Sequence, residues 1–198
     1  MTVRNKTAAT LALLAFAVGI ASAQARAPRG LSLGIGAGGM MPADKESYLG
    51  DALDLYPEAS IAYDVGIFLA EASVGWIMKS GTITYYVGSV AIGEEDYEIQ
   101  FFPAKLAAKV MPFRESRPDL LAQPFAGLGL GCLVASGDNG DSYLLASPEL
   151  GVSFGRKHIL DLDLTYNCVI GEEDLTLGDT LDYCTFGLKY RYRFAFGD

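Results

Sequence analysis

From Tyr183 to Phe196 the chain alternates without interruption. Cys184, Phe186, Leu188, Tyr190, Tyr192, Phe194 and Phe196 hold one parity, and Tyr183, Thr185, Gly187, Lys189, Arg191, Arg193 and Ala195 hold the other. A period of two belongs to a β-strand, whose successive side chains point to opposite faces. One face here is aromatic and aliphatic, and the other is small or charged. Soluble strands run to about 5–6 residues, whereas a tilted strand needs about 9–11 to cross a bilayer. This run is long enough for the second task. A strand in lipid can satisfy its backbone only inside a closed barrel, so this segment restricts the architecture of the whole chain.

The beginning of the sequence supplies a route to a membrane. Arg4 and Lys6 precede an apolar stretch from Ala8 to Ile20, and Ala21-Ser22-Ala23 follows as a small-residue cleavage site. These are the three parts of a secretory signal peptide. The apolar stretch is shorter than the roughly 20 residues of a spanning helix. Residues 1–23 are therefore expected to be a signal peptide and 24–198 a single domain. Loss of Arg4 and Lys6 takes the formal net charge from −9 to −11. So acidic a chain is a poor partner for nucleic acid, whose phosphates require a basic face. The three cysteines all lie after residue 23, in a part of the chain that would meet an oxidising compartment.

Eight segments alternate: approximately 31–41, 58–67, 69–80, 97–111, 124–135, 143–154, 158–170 and 182–196. Tight connections follow the second (near Phe68) and the sixth (Gly155, Arg156, Lys157), and a longer turn with Pro112 and Pro118 follows the fourth. The other connections, 42–57, 81–96, 136–142 and 171–181, are longer and acidic. Short turns at one end and long loops at the other describe an up-and-down membrane barrel. The expected fold class is all-β, an eight-stranded antiparallel up-and-down transmembrane β-barrel.

The polar parity is expected to face inward. An eight-stranded interior is too narrow for the many Phe, Tyr and Trp rings of the apolar parity. The polar parity also carries five acids, Asp64, Glu71, Glu149, Asp161 and Asp163, against five bases, Lys105, Lys109, Lys189, Arg191 and Arg193. Balance is needed in a bore, where an unpaired ion is costly. In the last hairpin, pairing positions whose numbers sum to 352 would set Asp163 opposite Lys189 and Asp161 opposite Arg191. The same register would set Leu162 against Tyr190 and Cys168 against Cys184. It leaves open either a disulfide between those cysteines or two reduced thiols at the outer interface, with Cys132 facing lipid.

The signal peptide, the eight alternating segments and the aromatic end Tyr190-x-Tyr192-x-Phe194-x-Phe196 together resemble the small outer-membrane β-barrel proteins of the OmpA/OmpX/OmpW-like group. Pro124, Gly127, Gly129 and Gly131 repeat the spacing that opens the fifth strand in OmpW-like barrels. The resemblance implies residence in the outer membrane, contact with its lipid (lipopolysaccharide or other lipids), and insertion by the barrel-insertion machinery, which reads the aromatic last strand. The balanced lumen, filled by paired charges, supports a non-enzymatic protein without cofactor, acting in envelope structure or surface interaction, whereas the OmpW-like resemblance implies a second reading. The alternative is a narrow conduit for small hydrophobic molecules, to which Ile77, Phe101 and Leu133 would contribute an apolar pocket near the loop end. A lipid-modifying enzyme is a third reading.

Three features are set aside. Gly34-Ile-Gly-Ala-Gly-Gly39 fits a dinucleotide fingerprint, but Met40, Met41 and Pro42 follow instead of a helix. These glycines are expected to make room for long lumen side chains. The sole histidine, His158, sits beside the short Gly155–Lys157 turn, at the wrong end for chemistry on an outer leaflet. No catalytic residue is assigned. The acidic loops (Asp44, Glu46, Asp51, Asp54; Glu94, Glu95, Asp96; Asp138, Asp141; Glu172, Glu173, Asp174, Asp179) could attract a divalent cation, but the simpler role is solvation of an exposed end.

Overall fold

The computed structural model describes residues 30–43, 54–87, 90–136, 142–170 and 182–195. The expected signal peptide lies outside the described residues, as do most of the acidic loop positions. Nine strands follow in order: β1 (Gly30–Pro42), β2 (Asp54–Val65), β3 (Phe68–Gly75), β4 (Ile77–Val87), β5 (Val90–Val110), β6 (Ala122–Ser136), β7 (Ser142–Phe154), β8 (His158–Ile170) and β9 (Tyr183–Ala195). Each is antiparallel to its neighbours. The order runs β3-β2-β1-β9-β8-β7-β6-β5-β4, and β3 also pairs with β5. That pairing closes the ring. β3 and β4 are two halves of one stave, so the wall is an eight-stranded antiparallel barrel.

The two halves part at Trp76. Its N–H donates to the Pro57 carbonyl at 3.1 Å, the last link between this stave and β2. The parity passes through the break, because Val74, Trp76 and Met78 are all exposed on the outer face. Beyond it β4 pairs with β5 alone, as far as Val87↔Val90, with a bulge between Tyr85 and Tyr86. β5 meets β6 from Gln100 onward, so residues 90–99 pair with β4 only. The expected loop 81–96 is thus corrected to a two-stranded ribbon that rises past the rim. Thr82, Ile83, Thr84 and Tyr85 are β-branched or aromatic and favour extended backbone. The neighbouring run Glu94-Glu95-Asp96 obscures that preference.

At the other end the turns are tight. Gly66 and Gly155 adopt φ of 67° and 92°, a left-handed conformation that glycine enters without a Cβ clash. The 111–121 connection is pinned from both sides: Met111 N–H donates to Ile67 O at 2.7 Å, and Gly155 N–H to Leu121 O at 3.4 Å.

Hydrophobic residues face outward. Leu55 is 74% exposed, Ile35 69% and Leu150 62%, while Asp64 and Arg191 on the inner face are 0% and 1% exposed. In water such an arrangement would forfeit the hydrophobic stabilisation of folding. It is the distribution of a barrel that spans a membrane, with an apolar band outside and a polar interior.

Candidate functional site

The bore is filled in three tiers. The first lies at the short-turn end. Asp64, near the end of β2, accepts from two guanidinium groups: Arg193 Nε of β9 at 2.7 Å, and Arg114 Nη1. Arg114 comes from the 111–121 connection and reaches up into the barrel mouth. Ala62, Leu69, Met111 and Phe125 pack around this cluster.

The second tier is an unbroken chain of alternating charge. Lys105 Nζ lies 3.7 Å from Glu58 Oε2, and Glu58 pairs with Lys189. Lys189 reaches Glu71 Oε1 at 2.6 Å. Glu71 accepts from Lys109 at 3.1 Å, and Lys109 lies 3.3 Å from Glu149. The Lys109 ammonium also sits 5.0 Å from the Phe125 ring centroid. Beside this chain, Arg191 holds Asp161 with two prongs, Nε to Oδ2 at 2.5 Å and Nη2 to Oδ1 at 3.1 Å. Paired forks of this type fix geometry as well as charge. Asp163 stands apart, with no ion pair within 4 Å among the described residues. It lines a polar cavity of about 20 Å³ with Glu58, Lys105, Glu149 and Lys189, room for about one water.

The third tier, toward the long-loop end, is apolar. Met40, Tyr56, Ile77, Phe101, Leu133, Leu145, Val169 and Tyr183 form one buried cluster, with Ala135 and Tyr143 packed on it. Tyr56 joins the tiers, its hydroxyl donating to Glu58 Oε2 at 3.1 Å.

Strand parity explains these positions. Lys105 and Lys109, Asp161 and Asp163, and Lys189, Arg191 and Arg193 fall on alternate residues and so share the inner face. The wall is small where these chains are long. A Cβ on Gly34 would stand 2.6 Å from Ser60 Oγ and 2.7 Å from Arg191 Cγ.

Of the ten charged residues singled out in the sequence, nine enter ion pairs in the bore. Two partners were missed. Glu58 holds the inward parity of β2, one step before Ser60, and extending that alternation would have found it. Arg114 lies in a turn and carries no periodic signal. One acid and one base were missed, so the bore stays balanced, six against six.

The hairpin register is corrected by two residues. Asp161 faces Lys189, Leu162 faces Leu188 and Asp163 faces Gly187, so numbers sum to 350. A shift of two keeps every side chain on its face, so the face pattern could not distinguish the registers. Arg191 still reaches Asp161 diagonally, while Lys189 turns across the bore to acids that no single hairpin contains. The same register sets Cys184 opposite Tyr166. Cys168 and Cys184 are not joined in a disulfide, and Cys132 is likewise a thiol.

His158 lies on the outer face at the short-turn end, its Nδ1 2.7 Å from the Tyr190 hydroxyl. No group of His, Cys, Asp or Glu suited to a metal ion occurs among the described residues.

Comparison with known proteins finds similarity to solved structures alone. No family model matches the chain, and no curated protein matches it. Solved structures do. The chain is similar to Ail, the attachment invasion locus protein of Yersinia pestis, crystallised with the heparin analogue sucrose octasulfate: 15% identity, TM-score 0.43, covering 86% of this chain and 100% of that one. It is also similar to the outer membrane protein Ail in a phospholipid bilayer nanodisc, at 13% identity and TM-score 0.46, covering 83% and 99%. The N-terminal β-barrel domain of Pseudomonas aeruginosa OprF aligns at 12% identity and TM-score 0.45, covering 82% and 97%. The fold is an eight-stranded membrane barrel. That statement rests on the closed strand pairing and the inverted faces described above.

Proposed function

We propose that the protein is a non-enzymatic outer-membrane barrel, delivered by the signal peptide at 1–23, whose acidic long-loop end acts in envelope structure or surface interaction. The filled bore carries this reading. Buried ion pairs block the middle, Arg114 and Arg193 on Asp64 occupy one mouth, and the Met40–Tyr183 cluster occupies the other. A permeant ion would have to break pairs that the low-dielectric interior holds strongly. The bore charges balance, so the excess negative charge belongs mainly to the loops and the β4–β5 ribbon. An end of that sign favours cationic partners or divalent ions bridging to anionic lipid.

A conduit for small hydrophobic molecules has one observation in its favour. An apolar notch on the outer wall, lined by Ala37, Gly39, Leu55, Leu162 and Phe186, shares Ala37, Gly187 and Leu188 with the polar cavity inside. The wall there is one small residue thick.

Conductance of the refolded barrel in a planar bilayer tests the two. A silent bilayer is expected while the protein remains inserted. Steady unitary openings would refute the blocked bore.

A further inference from the structure

The short-turn rim is uneven around its circumference. On the side of β1–β3, the turn at Gly66–Ile67 carries no charge. On the side of β7–β9, Arg156, Lys157 and His158 are consecutive and exposed. The internal contacts of Arg156 and Lys157 leave further side-chain donors unused. Arg156 Nη2 donates to Pro118 O at 2.8 Å. Lys157 Nζ rests 5.5 Å from the Tyr192 ring centroid. His158 Nδ1 lies 2.7 Å from the Tyr190 hydroxyl, and its ring stands edge-on to Tyr192 with centroids 5.3 Å apart. Directly beside them Leu121 is 83% exposed, tied to the same turn through Gly155. Fixed cations above an exposed apolar and aromatic surface match an anionic lipid, whose phosphate and acyl chain have the same polarity along one axis. Glu115 and Asp119 sit in the 111–121 connection, which Arg117 partly offsets.

We propose that Arg156, Lys157 and His158, with Tyr190, Tyr192 and Leu121, form a binding site for the phosphate headgroup of an anionic phospholipid in the leaflet at the short-turn end. The proposal rests on the bilayer-spanning reading above. Charge argues for a local site rather than a general affinity, because a mature chain of net charge −11 (−9 less Arg4 and Lys6) repels anionic lipid on average.

The test is spin-label partitioning. The full mature chain is refolded into phosphatidylcholine vesicles carrying spin-labelled phosphatidylglycerol or spin-labelled phosphatidylcholine, and the motionally restricted fraction of each label is measured. A heat-dependent gel shift verifies insertion. The wild type is expected to restrict the phosphatidylglycerol label several-fold more strongly. R156Q/K157Q is expected to erase that difference, and K157R to retain it. An inserted wild type without preference, or an inserted R156Q/K157Q that keeps it, overturns the site while leaving the barrel reading intact. A wild type that fails to insert at all overturns both.

Discussion

Lys189 of β9 meets Glu71 of β3 across the bore, Nζ to Oε1 at 2.6 Å, although 118 residues separate them in sequence. Glu71 also takes Lys109 at 3.1 Å, so one carboxylate joins two ammonium groups from different staves. Glu71→Gln should therefore leave both lysines short of a counter-charge. The expected cost is about 3–5 kcal/mol, the range for breaking a buried pair from one side. Urea titration of the inserted barrel, followed by the gel shift, would read it.

The two neighbouring aspartates of β8 should behave differently. Asp161 holds both prongs of Arg191, whereas Asp163 lines a cavity beside Gly187. Asp161→Asn is expected to cost several kcal/mol and Asp163→Asn less than about 1 kcal/mol. Equal unfolding midpoints for the two variants would contradict the observed pairing.

At the short-turn mouth the asymmetry runs through Asp64. Its removal strands two guanidinium groups, while Arg114→Ala leaves Asp64 still paired with Arg193 at 2.7 Å. Asp64→Asn should thus lower the unfolding midpoint more than Arg114→Ala. Urea titration of both variants would check the order.

The glycines of the wall are not equivalent. A Cβ at Gly34 would meet Arg191 Cγ at 2.7 Å, whereas at Gly129 the nearest atom, Ser147 Cβ, is 3.3 Å away. Gly34→Ala should cost about 1–3 kcal/mol through overpacking and loosen Arg191 from Asp161. Gly129→Ala should be milder, and parallel urea titrations compare them.

On the outer wall, Ile35 is 69% exposed on β1. Ile35→Lys is expected to cost about 2–4 kcal/mol if this position lies near the bilayer midplane. In a soluble protein an exposed lysine would be nearly neutral, so refolding yield into vesicles separates the two cases.

The strands and their faces were legible because alternation is a local property. The interior charges followed from the same parity, and the glycines near them from the space that Arg191 and Lys189 occupy. What escaped detection was non-local or aperiodic. The reach of Lys189 to Glu58 and Glu71 depends on closure of the ring, and a two-residue slip of β9 leaves both faces unchanged. Arg114 enters the bore from a turn. The continuation of β4 beyond Ser80 was hidden because three successive acids on its partner resemble a solvated loop.

The first and last described strands lie side by side, paired from Gly30↔Ala195 to Pro42↔Tyr183. Without β9, the remaining staves would present two raw margins of unmatched amides, which hydrocarbon cannot solvate. Synthesis from the amino terminus therefore yields nothing insertable until its final stave has been made. The pairing of the two outermost described strands is what makes the wall compatible with hydrocarbon.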